Sequence, residues 1–200
     1  MTREIIRVGP QHRDRAVQCL ARAFHHDPAM VFMMPHEPSR ARRLTRLIGW
    51  MVDQTFKVGL VLGTPELEGV TLWRPPGTVH YHEPLWHPGT LRFLPIFGWH
   101  LPRALNTDDG ITSHLPKGES WMYLKMAGVD PDHQGKGLGG AMLRAGLAEA
   151  ARLGVASLLE TATPENVGLY QRFGYRILCE WDVKDGGPHF WTMATADPRG

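Results

Sequence analysis

The chain has 200 residues, 42% of them hydrophobic and 21% charged, with a formal net charge of +2. That is enough chain for a single domain over 1–200 with its own core, and so small a net charge makes no case for nucleic-acid or membrane partners. No apolar h-region follows the N-terminus, no run nears the ~20 apolar residues of a membrane helix, and Cys19 and Cys179 form no CxxC pair, so a reduced, cytoplasmic protein with both thiols packed inside is expected.

Residues 4–8 read as a first strand and 11–24 as a helix, with Val17, Leu20, Ala21 and Phe24 at three-four spacing. Asp27-Pro28 breaks it. Ser39 is the expected cap of a second helix running to about residue 56, with Leu44, Leu47, Ile48, Met51, Val52 and Phe56 on one face. Its Arg40, Arg42, Arg43 and Arg46 read as a solvated basic face, or else as a site for a ligand phosphate. Residues 57–62 and 69–74 read as paired strands. From 75 to 117 the chain is rich in Pro, His, Trp and Gly; short helices are expected there without fixed positions. His80, His82, Glu83 and His87 have the look of a metal cluster but lack HExxH spacing, and a loop covering a pocket is the preferred reading.

Beyond 119 the pattern sharpens. Residues 120–129 read as a strand with Trp121, Tyr123, Lys125 and Ala127 on one face and Met122, Leu124 and Met126 on the other. A helix follows over 139–153 and a strand over 155–161. A short helix over 166–173 leads into strands over 175–183 and 190–194, joined through a turn at 185–188. The expected class is mixed α/β, with a β-α-β unit at the centre of a partly splayed sheet and antiparallel strands on its flanks.

Between that first strand and helix lies Val129-Asp130-Pro131-Asp132-His133-Gln134-Gly135-Lys136-Gly137-Leu138-Gly139-Gly140. A glycine-rich turn opening a helix presents bare N–H groups at the positive end of the helix dipole, which suits a pyrophosphate. A P-loop would need Gly-Lys-Ser/Thr, and Ala141 follows instead. The dinucleotide fingerprint GxGxxG fits Gly135, Gly137 and Gly140, with Glu160 placed 20 residues on; a nicotinamide-dependent oxidoreductase is therefore a rival. That rival gives no use to Val129, Pro131 and Gln134.

Val-x-Pro followed by Gln-Gly-x-Gly-x-Gly resembles the acyl-CoA motif of the GNAT N-acyltransferase superfamily, and Leu159-Glu160-Thr161, Asn166, Tyr170 and Phe173-Gly174-Tyr175 follow in the order of that family's second half. The segments GVDPDHQGKGLGGAML, LLETATPENVGLYQRFGY and DGGPHFWTM are most similar to the puromycin N-acetyltransferase group. The strong likeness covers roughly 119–195.

The resemblance implies a GNAT fold and transfer of an acetyl group from acetyl-CoA, without a metal, to a small-molecule primary amine, an aminonucleoside or aminoacyl antibiotic among the options. It implies that Ala127, Gly128 and Val129 pair with the pantetheine arm. Gln134, Gly135, Lys136, Gly137, Leu138, Gly139 and Gly140 would hold the pyrophosphate. Asn166 would sit near the thiol, Tyr170 would protonate the departing thiolate, and the Val129 N–H would serve the oxyanion. Many family members place a basic Glu where Tyr123 stands here. Tyr123 then lines the acceptor site, and the base falls to Glu160, or to Glu119 through water. Each of these residues also has a plain reading: Tyr170 as a core side chain, Asn166 as a helix cap, Glu160 as a strand-end charge. A non-catalytic acetyl-CoA sensor and a peptide N-acetyltransferase stay open, as does the oligomeric state, a homodimer included.

Overall fold

A computed structural model describes residues 3–79, 88–117 and 120–196. The His80–His87 cluster and Glu119 lie outside the described residues. Among the described residues, seven strands form one sheet in the order β1-β2-β3-β4-β5-β7-β6. They are β1 Ile6–Arg7, β2 Leu60–Gly63, β3 Gly69–Arg74, β4 Trp121–Val129, β5 Ala156–Thr161, β6 Arg176–Asp182 and β7 His189–Ala194. Among the described residues, only β4 and β5 run parallel; every other neighbouring pair is antiparallel. A dinucleotide-binding fold needs an open, mostly parallel sheet, so this topology removes the oxidoreductase rival.

Helices α1 Arg13–Ala23, α2 Pro28–Met33 and α3 Glu37–Val58 cover one face. Leu20, Leu44, Ile48 and Val52 are fully buried there against Val70 and Leu72. Asp27 does break the chain after α1, and then starts α2 by accepting the N–H groups of Ala29 and Met30 at 3.0 and 3.1 Å. Ser39 is not the cap of α3: the cap position is His36, and Glu37 and Pro38 already lie in the first turn. Arg40 departs from the expected solvated face. It is 4% exposed and donates to the carbonyls of Met34 (2.8 Å) and Pro35 (3.1 Å), closing the α2–α3 connection. Segment 94–114, which the sequence left unplaced, forms α4 Leu94–Phe97 and the longer α5 Leu101–His114.

On the other face, α6 Leu138–Arg152 and α7 Pro164–Arg172 pack on Trp73, Met122, Leu124 and Leu159. Gly146 lets α6 approach β3: a Cβ there would stand 1.9 Å from the Trp73 indole, which is itself fully buried. Gly146→Ala should therefore destabilise the fold by about 1–3 kcal/mol through overpacking, read as a lower urea midpoint at unchanged slope.

The expected alternation of β4 fails at one residue. The register with β3 shifts so that Leu72 faces Met126 while Trp73 faces Leu124, leaving Lys125 as an extra, bulged residue. Met126 therefore joins the α1–α3 side of the core, while Met122 and Leu124 stay on the α6 side.

Candidate active site

The parallel pair sets the position of the site. β4 and β5 pair from Trp121↔Ala156 to Leu124↔Leu159. Past that point β5 stays with β7 through Glu160↔Thr192 and Thr161↔Trp191, while β4 stays with β3 through Val129↔Gly69. The two strands part, and an edge of β4 is left open. Asp130 N–H donates to the Glu68 carbonyl at 2.7 Å. Alternation in an antiparallel ladder then turns Gly128 toward β3 and turns the polar groups of Ala127 and Val129 into the gap. The main-chain polar groups of Gly128 face β3, opposite Val70. Its missing side chain makes room for α1, since a Cβ would lie 2.8 Å from that of Ala23.

At the end of β4 the loop is held in place from two sides. Gln134 Nε2 donates to the Val129 carbonyl at 3.1 Å, and Arg22 of α1 bridges Asp130 (2.7 Å) and Asp132 (2.7 Å). Lys136 lies on the solvent side, its ammonium 3.4 Å from the Asp132 carbonyl. Gly135 and Gly137 have φ of +74° and +77°, with open space where a Cβ would project. Gly137 occupies the cap position of α6, and Leu138, Gly139 and Gly140 form its first turn. Among the described residues, no main-chain acceptor takes the N–H groups of residues 135–140. A row of unbonded amides at the start of a 15-residue helix lies at the positive end of the helix dipole, where an anion can be held.

Behind the gap lies a cavity of about 650 Å³ bordered by Ala127, Glu160, Asn166 and Tyr170. Asn166 is not the helix cap; that position belongs to Thr163, whose carbonyl accepts the Asn166 N–H at 3.0 Å. Tyr170 packs edge-on against Tyr175 with 5.8 Å between ring centroids, and burial pushes its hydroxyl up to about 12. Tyr123 donates its hydroxyl to Glu160 Oε2 at 2.7 Å, so the tyrosine that replaces the expected glutamate positions one on the next strand. Glu160 Oε1 is buried and has no hydrogen-bond partner among the described residues. Burial raises the Glu160 carboxyl to about 7, against the opposing pull of the Tyr123 hydrogen bond and the Lys125 charge. A carboxyl half-ionised near neutrality can accept or release a proton there.

The walls of the cavity were not legible beforehand. They come from α2 and α3 (Met30, Met33, Trp50, Met51) and from α4 and α5 (Phe97, Leu101). The floor on the sheet adds Arg74 and Lys125. The one available signal was Lys125 itself, a charge in the middle of an apolar strand. Among the described residues, no group of three or more His, Cys, Asp or Glu is arranged to hold a metal, and no helix is long and apolar enough to cross a membrane. Cys19 is buried and Cys179 partly so; both are free thiols.

A splayed parallel pair, a glycine-rich loop at the start of the intervening helix and a cavity behind the splay define the GNAT fold. The family model described as acetyltransferase (GNAT) domain matches residues 105–177. A mycothiol acetyltransferase from Propionibacterium freudenreichii is 33% identical over 86 residues, which are 42% of this chain and 25% of that protein. The match thus spans a quarter of the relative's length. Among solved structures, the one described as histone acetyltransferase HPA2 and related acetyltransferase, from Corynebacterium glutamicum, aligns with a TM-score of 0.75 at 23% identity, covering 98% of this chain and 97% of that one. Arylalkylamine N-acetyltransferase 2 from Aedes aegypti aligns with a TM-score of 0.63 at 12% identity, covering 96% and 98%. Polyamine N-acetyltransferase from Drosophila melanogaster aligns with a TM-score of 0.56 at 17% identity, covering 96% and 99%. The family-model match covers residues 105–177, and over nearly the whole length the chain has the GNAT fold.

Proposed function

We propose that this chain is an N-acetyltransferase that moves an acetyl group from acetyl-CoA directly to a primary amine of a small molecule. One observation carries the reading: a carboxyl balanced near neutrality and a protonated tyrosine border one cavity, at the gap where the β4 edge is open and the phosphate loop begins. The coenzyme brings the acetyl thioester; the chain's residues do the rest. The amides of residues 135–140 hold the pyrophosphate, and Ala127 and Val129 offer main-chain groups to the arm. Glu160 takes a proton from the incoming ammonium, because only the neutral amine attacks. The Ala127 N–H faces the gap and borders the cavity, which makes it a better oxyanion donor than the Val129 N–H expected from the motif. Tyr170 gives its proton to the departing sulfur, whose thiol has an ordinary pKa of about 8.5. Asn166 sits four residues before Tyr170, on the same face of α7.

The acceptor preference follows from the cavity's apolar walls. The similarity to the puromycin N-acetyltransferase group brings aminoacyl and aminonucleoside compounds into the set to be assayed. Release of free thiol from acetyl-CoA, over a panel of arylalkylamines, amino acids, aminoacyl antibiotics, polyamines and peptides, tests the reading. Acetyl-CoA at a hundred times its Kd should add about 2.7 kcal/mol of stability in a melt. Binding without turnover across the panel would favour the sensor instead.

Gly137→Asp should weaken acetyl-CoA binding by at least tenfold, since a carboxylate would meet the pyrophosphate with like charge. Gly137→Asn imposes the same backbone strain without the charge and should lose less. Equal, wild-type Kd values for both folded variants, measured by calorimetry, would remove the loop from the phosphate site.

A further inference from the structure

The floor of the cavity contains a cation that the transfer reaction does not use. Lys125 is the bulged residue of β4 and lines the cavity beside Glu160. Its ammonium lies 5.9 Å from the Tyr123 ring centroid. Among the described residues, no carboxylate stands within ion-pair distance of it. The charged groups that face it are Arg74 of β3, Glu160 of β5 and Asp108 of α5, with the Tyr123 hydroxyl beside them. Arg74 adds positive potential from a site that is 4% exposed. Asp108 is solvent-exposed at the rim, and burial raises the Glu160 carboxyl to about 7, which weakens its hold on a neighbouring ammonium. Charge removed from water is tolerated where it is paired. A bulge that turns Lys125 into the cavity leaves the pairing of that lysine to a ligand.

We propose that Lys125, in the field of Arg74, forms an anion subsite inside the acceptor cavity, and that the acceptor is an amine bearing a carboxylate on an apolar or aromatic body. The subsite has a consistent geometry with the apolar walls. The body packs against Met30, Met33, Trp50 and Phe97, the carboxylate meets Lys125, and the amine is left beside Glu160. Polyamines fit poorly, because a second ammonium would be driven onto the Lys125 ammonium. Burial and the Arg74 charge both depress the Lys125 ammonium, while Asp108 and Glu160 oppose this; a bound carboxylate would restore it to its charged form.

The transfer part rests on the acetyltransferase reading; the subsite itself does not, and the test separates them. L-Phenylalanine and phenethylamine share a body and an amine and differ by the carboxylate. In the wild-type protein kcat/KM should favour phenylalanine by about 10- to 100-fold, the range of one charge-assisted hydrogen bond. Lys125→Gln should collapse that ratio toward one, and Lys125→Arg should keep most of it. In parallel, calorimetry without coenzyme should show 3-phenylpropanoate binding to the wild type and to Lys125→Arg, and at least tenfold more weakly to Lys125→Gln. If neither amine is acetylated but 3-phenylpropanoate binding still depends on Lys125, the subsite stands and the reaction class is wrong. If 3-phenylpropanoate binds the wild type and Lys125→Gln alike, or binds neither, or if phenethylamine is preferred by the wild type, the anion subsite is overturned.

Discussion

Tyr170→Phe should slow single-turnover acetyl transfer by about 10²- to 10⁴-fold, the usual worth of general-acid assistance, while the Kd for acetyl-CoA barely changes. The variant retains the ring, and the ring is what the core uses: Tyr170 packs edge-on with Tyr175 and lies against α6-side residues. Its hydroxyl has no hydrogen-bond partner among the described residues, whereas the neighbouring Tyr175 hydroxyl is engaged with Ser157 at 2.7 Å. Removing the Tyr170 oxygen therefore leaves no donor stranded in the fold, and the melting temperature should move little. A tyrosine with only a packing role would give the reverse pattern of unchanged transfer rate. Single-turnover conditions matter because slow product release would mask the chemical step in kcat. Wild-type transfer by Tyr170→Phe under those conditions would hand the protonation of sulfur to water. At about 12 the hydroxyl is fully protonated at neutral pH, so this role as donor should hold without a pH limb of its own.

What was legible in the sequence was local. The strand, glycine loop and helix over 121–152 announce themselves because the loop exposes main-chain amides, and main-chain geometry is written in glycine spacing. The order of the β5, α7 and β7 segments was readable for the same reason, through turns and short apolar runs. The cavity behind the splay was not. Its walls are contributed by α2, α3, α4 and α5, and nothing in the spacing of Met33, Trp50 or Leu101 says that they converge. The bulge at Lys125 was also hidden, because strict alternation fitted residues 121–127 until the register with Leu72 and Trp73 was known. Arg40 was misread as solvated since a basic run on a helix carries no sign of which member caps a neighbouring turn. Glu160 shows both sides of this limit. Its residue type was visible, but its tie to Tyr123, two strand positions before the bulge, needed the parallel β4–β5 register.

Glu160→Gln should lower kcat/KM for the amine by about 10²- to 10⁴-fold and abolish the limb of the pH profile near 7. Glutamine preserves the local structure, because its carbonyl oxygen still accepts the Tyr123 hydroxyl, and it removes only the capacity to take a proton. In the wild type, activity should rise as pH passes through about 7, where the carboxyl ionises. The variant should retain only the later rise due to the amine's own deprotonation. The same shift has a consequence for stability. The folded carboxyl sits above its ordinary value of 4.5, so the native state binds the proton more tightly than the unfolded chain. The stability this contributes is complete below pH 4.5 and is lost as pH rises through about 7. Urea titrations at pH 5 and pH 8 should therefore show the wild type losing stability relative to Glu160→Gln across that interval. A ligand that neutralises the site would blunt the difference, so the comparison belongs in the protein without acceptor. The rate and the stability readouts address different claims. A variant that keeps the wild-type rate but loses the pH-dependent stability gap would show a buried carboxyl that is not the base. A variant that keeps both the rate and the gap would show that Glu160 is ionised at its ordinary pKa, and that the neutral amine forms without help from the chain.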